Sequence, residues 1–498
     1  MIENIIEILF ENAVKSPDKT AIIHKDEKIT YGELADSTKN YAQYFIEKGL
    51  QRGDNALIFV PMSIELYKIL CAIFYIGAAA VFVDAWADKK KLEQALTVVP
   101  CKAFIGCPKA FLLKLLSGKI REVDLNFVAG WNKFRPGSSI RTVSAVGKTD
   151  TALITFTTGS TGIPKAAKRT HEFLLEQHYV LKKHLQTAPD DIDLTTLPIF
   201  VLHNIACGST SVIPNFNPQK PADIDPGKIA KEIKRHKINT SVGSPRFYEK
   251  LAEYGRITTL QRIFTGGAPV FPKLAKKLQD AFSPAQVEII FGSTEAEPIS
   301  GITAQELIAY KGGSNEGLLV GKPADINLKI IKYVDTPVED FESLWLPDGE
   351  TGEICVEGKH VLKEYYNSAQ AQTAAKIKYK GQIWHRTGDA GYLDNQGRLF
   401  LMGRAKNKFE HKGKEYYVFP IENALLEIDG VEIGTVMKIN NETCLLVEAK
   451  KGISQRQIEA QFSAIPHDRT IFLKKIPRDP RHNSKIDYAK LSALAIAD

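Results

Sequence analysis

Much of the first 400 residues alternates amphipathic helical stretches with short runs of apolar and β-branched residues. Residues 229–236 are followed by such a run at 238–242, and residues 274–282 are followed by one at 287–291. A helix between two strands carries the chain back across the sheet, so that the two strands lie parallel. The alternation therefore predicts an α/β fold in which largely parallel sheets are covered by helices.

The chain changes character at two points further on. From about residue 317 strands and tight turns replace the alternation, and after Arg404 a polar stretch leads into a shorter segment that mixes helices and strands. Such shifts in texture mark boundaries between structural units. We therefore predict a large domain at 1–403, with a β-rich part at about 317–403, and a small α+β domain at 404–498.

Composition excludes several classes of protein. Hydrophobic residues make up 44% and charged residues 25% of the 498 residues, which is typical of globular proteins and unlike disordered or fibrous chains. The net charge of +7 is too small an excess at this length to indicate a nucleic-acid partner. The most apolar uncharged run, 69–83, has 15 residues, whereas a membrane-spanning helix needs about 20. We predict no nucleic-acid partner and no integral membrane segment.

The cysteines and histidines give no sign of a metal site. The six cysteines are scattered without a C-x-x-C pair, as expected of buried thiols in a reducing compartment. The N-terminus lacks the basic and apolar stretches of a signal peptide, so we predict a cytoplasmic protein. His178 and His184 are six residues apart and do not share a helix face. We therefore predict no structural metal.

The most informative segment is a strand-like run that leads into a loop of hydroxyl residues, glycines and a lysine. Glycines adopt backbone angles that turn successive N–H groups inward, which forms an anion-binding nest, and the hydroxyl groups add donors. The lysine supplies a compact positive charge. The loop therefore predicts a polyphosphate site formed by Thr157, Thr158, Gly159, Ser160, Thr161, Gly162 and Lys165.

Residue spacing disfavours two other kinds of site. The loop does not fit the G-x-x-x-x-G-K-[ST] pattern, so a Walker-type kinase or ATPase is the weaker alternative. No serine of the chain stands in a G-x-S-x-G pattern, which argues against an α/β-hydrolase.

In sequence, TTGSTG-x-PK at 157–165 resembles the phosphate loop of the adenylate-forming superfamily of acyl-CoA synthetases, peptide-synthetase adenylation domains and luciferases. Further motifs of that superfamily follow in order over almost the whole chain. They are GGAP at 266–269, FGSTE at 291–295, TGD at 387–389, GR at 403–404 and a lysine near the C-terminus, Lys485. The resemblance implies an enzyme that uses ATP and Mg²⁺ to join a carboxylic acid to AMP, with release of pyrophosphate.

The resemblance also implies roles for individual residues. GGAP is the adenine-binding turn, Asp389 accepts hydrogen bonds from the ribose hydroxyls, and Glu295 is a hard oxygen ligand for Mg²⁺. Lys485 bridges the substrate carboxylate and the α-phosphate from a small domain that is mobile, and Asn407 takes the place of the hinge residue. The implied catalytic residues are Lys485, Thr294 and Glu295, and the implied ATP-binding residues outside the loop are Gly267, Ala268, Pro269, Phe291, Gly292, Asp389 and Arg404.

An apolar segment at 197–202, followed by small residues at 206–208, predicts an alkyl pocket. We assign Phe200, Val201 and Gly208 to this pocket. An amino-acid substrate needs a carboxylate to pair with its ammonium group, and residues 198–208 contain none. The sequence therefore predicts an apolar carboxylic acid, such as a fatty acid, as the substrate.

Two departures from the superfamily pattern bear on the fate of the acyl-adenylate. The loop after Arg404 lacks the usual Lys-Asp-x-Ile-Lys-x-x-Gly that helps to admit CoA, and a histidine expected soon after Pro198 is displaced to His203. With the stretch 481–486, these departures resemble a β-lactone synthetase branch of bacterial olefin biosynthesis. That branch uses a 2-alkyl-3-hydroxy fatty acid, whose own hydroxyl displaces AMP. Transfer to CoA and β-lactone formation both stay open.

Further alternatives also stay open. In the first, the acyl-adenylate is transferred to a carrier protein. A second enzyme of the same pathway is a further candidate partner. In another, the chain is a non-catalytic nucleotide- or acyl-binding protein that has kept the fold, although the presence of both Glu295 and Lys485 argues against this.

Overall fold

A computed structural model of the chain describes residues 2–83, 89–130, 134, 146–158, 164–217, 220, 223–312, 316–479 and 485–495. The helices are α1 (Ile5–Lys15), α2 (Tyr31–Glu47), α3 (Ile64–Ile76), α4 (Lys89–Val98), α5 (Leu113–Leu116), α6 (Gly118–Arg121), α7 (His171–Leu185), α8 (Pro198–Cys207), α9 (Pro226–Arg235), α10 (Pro245–Leu251), α11 (Pro272–Phe282), α12 (Ala304–Ala309), α13 (Ala369–Ala375), α14 (Val418–Glu427), α15 (Gln455–Glu459) and α16 (Tyr488–Ala495). The strands of the first half are β1 (Thr20–His24), β2 (Glu27–Thr30), β3 (Asn55–Phe59), β4 (Ala79–Phe82), β5 (Ala103–Gly106), β6 (Leu125–Val128), β7 (Thr151–Thr158), β8 (Pro164–Thr170), β9 (Ile192–Thr195), β10 (Thr210–Ile213), β11 (Thr240–Gly243) and β12 (Arg262–Gly266). Those of the second half are β13 (Gln286–Ser293), β14 (Ala296–Thr303), β15 (Leu318–Pro323), β16 (Asn327–Ile331), β17 (Gly352–Glu357), β18 (Lys376–Tyr379), β19 (Gln382–Leu393), β20 (Leu399–Arg404), β21 (Phe409–His411), β22 (Lys414–Tyr416), β23 (Val431–Ile439), β24 (Glu442–Ala449) and β25 (Arg469–Phe472).

The run 69–83 shows how the local sequence sets these elements. Its first part lies in α3, which Ser63 caps by accepting a hydrogen bond from the amide of Leu66. Gly77 ends the helix with a φ of 81°, a conformation that L-residues with a side chain rarely adopt. The chain then enters the buried strand β4. The run therefore forms a buried helix that turns into a buried strand, and no described helix is both long and apolar enough to cross a membrane.

The strands of the first 404 residues form two large sheets. A six-stranded sheet has the order β6-β5-β3-β4-β7-β8, and its strands are parallel except for the last pair. A 14-stranded sheet runs from β16 to β2, with β10, β9, β11, β12 and β13 parallel at its centre. The predicted α/β class with largely parallel sheets is therefore confirmed.

The 14-stranded sheet changes its pairing at β13. From β14 through β15, β20, β19, β17 and β16, every pair of neighbouring strands is antiparallel. Antiparallel strands connect through short turns and need no crossing helix. This explains why the sequence from about residue 317 lacks the helical alternation, and the predicted β-rich part is confirmed.

Residues 404–498, called the C-terminal unit below, form smaller sheets. β21 and β22 make a hairpin, and β23, β24 and β25 make a three-stranded sheet around a separate hydrophobic cluster that contains Leu425 and Phe462. The helix α14 faces the first 403 residues. The rings of Phe419 and Phe271 lie 5.8 Å apart, and Lys273 Nζ donates to the carbonyl of Leu426 over 2.6 Å. The predicted domain boundary at 403/404 itself stays a prediction.

Candidate active site

Strands β7 and β8 flank the predicted phosphate loop. They pair antiparallel, with Thr157 opposite Lys165 and Thr158 opposite Pro164. Lys165 thus stands at the start of β8, the edge strand of the six-stranded sheet. The predicted loop residues Gly159, Ser160, Thr161 and Gly162 lie outside the described residues, and only the backbones of Thr157 and Thr158 are described.

Glu295 lies in the turn between β13 and β14, where the 14-stranded sheet changes from parallel to antiparallel pairing. Two hydrogen bonds to backbone carbonyls hold this turn. Arg169 Nη2 donates to the carbonyl of Thr294 over 2.9 Å, and the amide of Leu362 donates to the carbonyl of Glu295 over 2.7 Å. Only glycine fits at Gly292, because a Cβ atom there would lie 2.9 Å from a backbone oxygen of β14.

Glu295 belongs to a buried cluster that the sequence analysis did not identify. The hydroxyl of Tyr365 donates to Glu295 Oε1 over 2.9 Å. The ammonium groups of Lys376 and Lys165 lie 5.4 Å and 5.8 Å from the centroid of the Tyr365 ring, in cation–π geometry. Lys376 also donates to the carbonyl of Leu362. Two lysines and one carboxylate are therefore assembled around a single tyrosine.

The electrostatics of this cluster favour an ionised Glu295. Burial opposes ionisation, but the interactions with His385 and Lys376 and the hydrogen bond from Tyr365 outweigh it, so the pKa of Glu295 lies below its ordinary value. Burial lowers the pKa of Lys376 to about 7, although the charge of Glu295 opposes this shift. The site thus holds a buried carboxylate at neutral pH.

The predicted adenine turn lies beside the Glu295 turn, because β12 and β13 are parallel neighbours. A Cβ atom at Gly266 would lie 2.5 Å from a backbone oxygen of β13, and Gly267 has a φ of 84°. Both positions therefore require glycine. Ala268 and Pro269 follow as half-buried residues, and Phe291 is half-buried on β13, where it packs against the second hydrophobic cluster.

The predicted ribose and arginine motifs meet across β19 and β20. Asp389 pairs with Arg404 in register, and the distance from Asp389 Oδ1 to Arg404 Nη1 is 3.3 Å. Arg404 Nη1 also donates to the carbonyl of Thr387 over 3.2 Å. Burial lowers the pKa of Lys165, Glu295 opposes this shift, and Arg404 adds to it. Arg404 therefore lies within electrostatic range of the phosphate-loop lysine.

The hinge candidate Asn407 ends a short 3-10 turn, Ala405–Asn407, directly after β20. Asn407 is half-buried, and the turn leads into the hairpin of β21 and β22. Lys406, in the same turn, adds to the lowering of the pKa of Lys165. The turn therefore lies at the end of an element and close to the phosphate-loop lysine.

Lys485 is exposed in the C-terminal unit. Its amide donates to Asp479 Oδ1 over 2.7 Å, and its carbonyl accepts from the amide of Asp479 over 2.8 Å. Three residues later α16 begins, and the hydroxyl of Tyr488 donates to the buried Glu422 over 2.5 Å. The backbone of Lys485 is thus tied to that of Asp479, and the helix that follows is anchored in the core of the C-terminal unit.

The three residues assigned to the acyl pocket do not face the same space. Phe200 packs in a cluster with Leu181 and Leu185 of α7 and with Val242, Phe264 and Ile290 of the central strands. Val201 belongs to the first hydrophobic cluster instead, and Gly208 caps α8 next to Asn12 of α1. Of the three, Phe200 is the one that the structure places among residues next to the Glu295 and adenine turns.

A polar cluster lies between α7 and α8, one turn from Phe200. His178 Nδ1 and His203 Nδ1 are 3.2 Å apart, and His203 Nε2 contacts Cys207 Sγ at 3.4 Å and Thr187 Oγ1 at 3.1 Å. The donor atoms of the two histidines and the cysteine lie within 4.8 Å of one another, so the grouping has ligands suitable for a metal. The sequence analysis missed this grouping because the two helices meet only in the fold.

Neutral hydrogen bonding accounts for the polar cluster. Burial lowers the pKa of His178 to about 4 and that of His203 well below its ordinary value, so both rings are neutral at neutral pH. Burial raises the pKa of the Cys207 thiol to about 12, so it stays protonated. Neutral imidazoles and a thiol satisfy one another as donors and acceptors.

Comparison with known proteins gives a family match and relatives that align over most of the chain. Residues 9–366 match the family model described as AMP-binding enzyme. The chain is 30% identical to an olefin beta-lactone synthetase of Stenotrophomonas maltophilia (strain K279a), over 95% of this chain and 92% of the relative. It is 31% identical to an olefin beta-lactone synthetase of Xanthomonas campestris pv. campestris, over 94% of this chain and 91% of the relative.

Among solved structures, ATP-bound MatB from Rhodopseudomonas palustris superposes with a TM-score of 0.84 at 21% identity, and each chain is covered to 99%. The O-succinylbenzoate coenzyme A synthetase MenE from Bacillus subtilis, in complex with ATP and magnesium, superposes with a TM-score of 0.82 at 20% identity. It covers 99% of this chain and is itself covered to 99%. At this identity the two likenesses concern the fold.

Proposed function

The chain belongs to the AMP-binding enzyme family, and from that premise we propose that it activates an apolar carboxylic acid as an acyl-adenylate and closes this intermediate to a β-lactone. The arrangement that carries the proposal is the buried Glu295 carboxylate beside Lys165, with Arg404 in electrostatic range and paired with Asp389. These groups come from the phosphate-loop, magnesium and ribose motifs that the sequence places far apart. One site with opposite charges suits a nucleotide that carries both phosphates and a cation.

The residues present fit Mg-ATP. Glu295 is an ionised carboxylate, and hard carboxylate oxygens are the ligands that Mg²⁺ accepts most readily from proteins. When bound, Mg²⁺ offsets the charge of the phosphate oxygens and orients them. Lys165 supplies a positive charge at the start of β8, and Asp389 offers carboxylate oxygens to the ribose hydroxyls.

In the first step an oxygen of the substrate carboxylate attacks the α-phosphorus, and the bond from that phosphorus to pyrophosphate breaks. Both reactants are anions, so their approach needs a cation between them. We assign this role to Lys485, an exposed residue of the C-terminal unit.

We propose that the C-terminal unit rotates about Asn407, because Lys485 has to approach the phosphates and leave again. The 3-10 turn Ala405–Asn407 stands between two elements, where a few backbone angles absorb a large rotation. Asn407→Pro is expected to lower turnover about tenfold while ATP binding changes little. Normal turnover in this variant would place the hinge elsewhere.

Two observations support β-lactone formation as the second step. The loop after Arg404 lacks the motif that helps to admit CoA, and the β-lactone synthetases named above align over nearly the whole chain. In this step the hydroxyl oxygen of a 2-alkyl-3-hydroxy acid attacks the acyl carbon, its proton is released, and the bond to AMP breaks. The reacting groups belong to one molecule, so no second substrate has to be positioned.

Transfer to CoA is the second candidate, because relatives named as CoA ligases also match. A feruloyl-CoA synthase of Amycolatopsis is 26% identical over 85% of this chain. A carrier protein or another pathway enzyme as acceptor of the adenylate is a third outcome of the same test. The reaction consumes ATP, and we propose that it takes place in the cytoplasm.

Product analysis separates these outcomes. The purified enzyme is incubated with ATP, Mg²⁺ and a 2-alkyl-3-hydroxy fatty acid, with and without CoA, and the nucleotide and acyl products are identified. We expect AMP and a β-lactone without CoA. A thioester that forms only with CoA would overturn the second step and leave the first intact.

Adenylation itself is tested by carboxylate-dependent exchange of pyrophosphate into ATP. No exchange with any short, medium or long acid, despite measurable ATP binding, would favour a non-catalytic binding protein. A preference for amino acids would contradict the apolar substrate that residues 197–208 predict. ADP as the product would indicate a kinase or ATPase instead.

A further inference from the structure

Three strongly exposed leucines lie together on the surface of the N-terminal part. Leu112, Leu115 and Leu116 are 62%, 76% and 56% exposed, and they are three of the eight large apolar side chains that stand out as exposed among the described residues. Single exposed apolar side chains are ordinary on protein surfaces, whereas a contiguous patch marks an interaction site. We call the leucines and the helical segment that carries them, 108–121, the leucine patch.

The backbone places the three leucines on one face. A 3-10 helix, Pro108–Leu112, continues directly into α5. Residues three and four apart on a helix lie on the same side, which brings Leu115 and Leu116 next to Leu112. Ala110 is buried on the opposite side, and Phe111 and Leu113 pack against the same hydrophobic cluster. The segment is therefore anchored by one face and presents the other to solvent.

The surroundings of the leucine patch are basic. Residues 103–121 contain Lys109, Lys114, Lys119 and Arg121 and no acidic residue. Lys109, Lys119 and Arg121 are exposed, and neither Lys109 nor Lys114 has an ion-pair partner in the described part of the chain. The helix α4, which packs on α6, begins with three further exposed lysines at 89–91. Lys119 pairs with Glu122 at 2.9 Å, so the excess of positive charge around the apolar face comes from Lys109, Lys114, Arg121 and the lysines at 89–91.

We propose that the leucine patch docks the protein on an anionic lipid surface. Leucines with flanking lysines form the pattern of interfacial membrane segments, whose apolar side chains enter the headgroup region while basic groups meet lipid phosphates. A stable protein–protein interface usually buries about 800 Å² on each side with matching shapes, and three leucines offer much less. A bilayer needs no matching shape, so the small convex patch fits it better.

The test uses the full-length protein and sedimentation with lipid vesicles. Vesicles of phosphatidylcholine with phosphatidylglycerol are compared with vesicles of phosphatidylcholine alone, at low and at high salt. We expect binding to the anionic vesicles that weakens with salt, because the lysines interact with surface charge. The double variant Leu115→Ser/Leu116→Ser should partition at least about tenfold less, since it removes most of the apolar contact.

Two controls separate docking from misfolding. Leu494→Ser removes an exposed leucine of the C-terminal unit and should leave vesicle binding unchanged. Carboxylate-dependent pyrophosphate exchange without vesicles reports whether each variant is folded.

A further variant tests the electrostatic contribution. Lys109→Gln/Lys114→Gln should weaken binding to the anionic vesicles and leave binding to the neutral vesicles unchanged.

Three outcomes would overturn the proposal. They are the absence of vesicle binding by the wild type, equal binding by the wild type and a folded double leucine variant, and equal binding to neutral and anionic vesicles. If the wild type binds no vesicles but self-associates, and the leucine variant does not, the patch is an interface between copies of this chain.

Discussion

The two charged centres of the site differ in how the fold holds them. Glu295 is buried, receives a hydrogen bond from Tyr365 and lies near two lysines, in a turn between two strands of the largest sheet. Lys485 is exposed in the C-terminal unit, and its backbone exchanges hydrogen bonds with Asp479. One centre is thus built into a core, while the other stands on a surface.

This difference suits the two roles that we propose, a metal ligand for Glu295 and a mobile cation for Lys485. A carboxylate that binds a metal gains from a rigid setting, because its geometry has to be ready before the ligand arrives. A cation that is needed in one step and then withdrawn is better placed on a structural unit that can move as a whole. We therefore expect changes at Glu295 to affect both folding and chemistry, and changes at Lys485 to affect chemistry alone.

The largest effect is expected for Lys485→Ala. Loss of the cation between two anions should lower pyrophosphate exchange about 10²–10³-fold, as for the removal of one preorganised donor at a transition state. Stability should change by no more than about 0.5 kcal/mol, because the side chain is exposed. Exchange assays and thermal unfolding measure the two effects.

Lys490→Ala is the matched control, since Lys490 is another exposed lysine nearby in the sequence, in the first turn of α16, and pairs with Asp487 at 3.3 Å. It should keep its exchange activity. Full exchange in Lys485→Ala would show that another cation bridges the reactants.

Glu295→Gln should lower exchange about a hundredfold and also destabilise the protein. The amide no longer binds Mg²⁺ well, which costs activity. It also leaves Lys165 and Lys376 without their buried anion, at a cost of about 1–3 kcal/mol. The measurements are exchange at saturating Mg²⁺ and urea unfolding. Unchanged stability would mean that the lysines do not depend on this carboxylate.

Tyr365→Phe should lower both exchange and stability, as Glu295→Gln does, but exchange should fall less. It removes the hydrogen bond to Glu295 but leaves the ring between the two lysines. Hydrogen bonds to charged groups contribute about 1.5–3 kcal/mol, so stability falls, and exchange falls about tenfold because Glu295 is less firmly placed. Tyr366→Phe, at the next position, is the control and should change exchange little.

The parts of the site that the sequence predicts are those that constrain the backbone. Gly266 and Gly292 approach neighbouring backbone oxygens so closely that no other residue fits, and such positions form recognisable motifs at strand ends.

The residues assigned to the acyl pocket are harder to predict. Val201 follows Phe200 on α8, and adjacent residues of a helix point about 100° apart, so helical geometry already separates them. The structure accordingly places them in different hydrophobic clusters.

The parts that the sequence does not reveal depend on contacts between distant residues. Glu295 and Tyr365 are 70 positions apart, and Lys376 lies on another strand. A single lysine in a sequence is most often a surface residue. The same holds for His178 and His203, whose rings meet because α7 and α8 pack together. No local pattern marks such pairs, since only the tertiary fold brings them within reach.

The smallest effect concerns a buried acid in the C-terminal unit, Glu422, which tests whether that unit has its own charge-dependent core. Burial raises the pKa of Glu422 to about 7, although hydrogen bonds from Tyr488 and Thr435 oppose the shift. In the unfolded chain a glutamate titrates near 4.3. Stabilisation from the protonated acid is therefore complete below about pH 4.3 and is lost as the pH rises through about 7.

Glu422→Gln keeps a neutral side chain at every pH and removes this dependence. At pH 8 we expect the C-terminal unit of the variant to be more stable than that of the wild type by about 1–3 kcal/mol, with a smaller difference at pH 5. Hydrogen exchange of α14 and α16 in the full-length protein measures it. Exchange activity should change less than about threefold, because Glu422 acts on Lys485 only through the helix that Tyr488 anchors. Glu427→Gln, an exposed change on the same helix, is the control, and a pH dependence that is equal in Glu422→Gln and wild type would show that another group titrates.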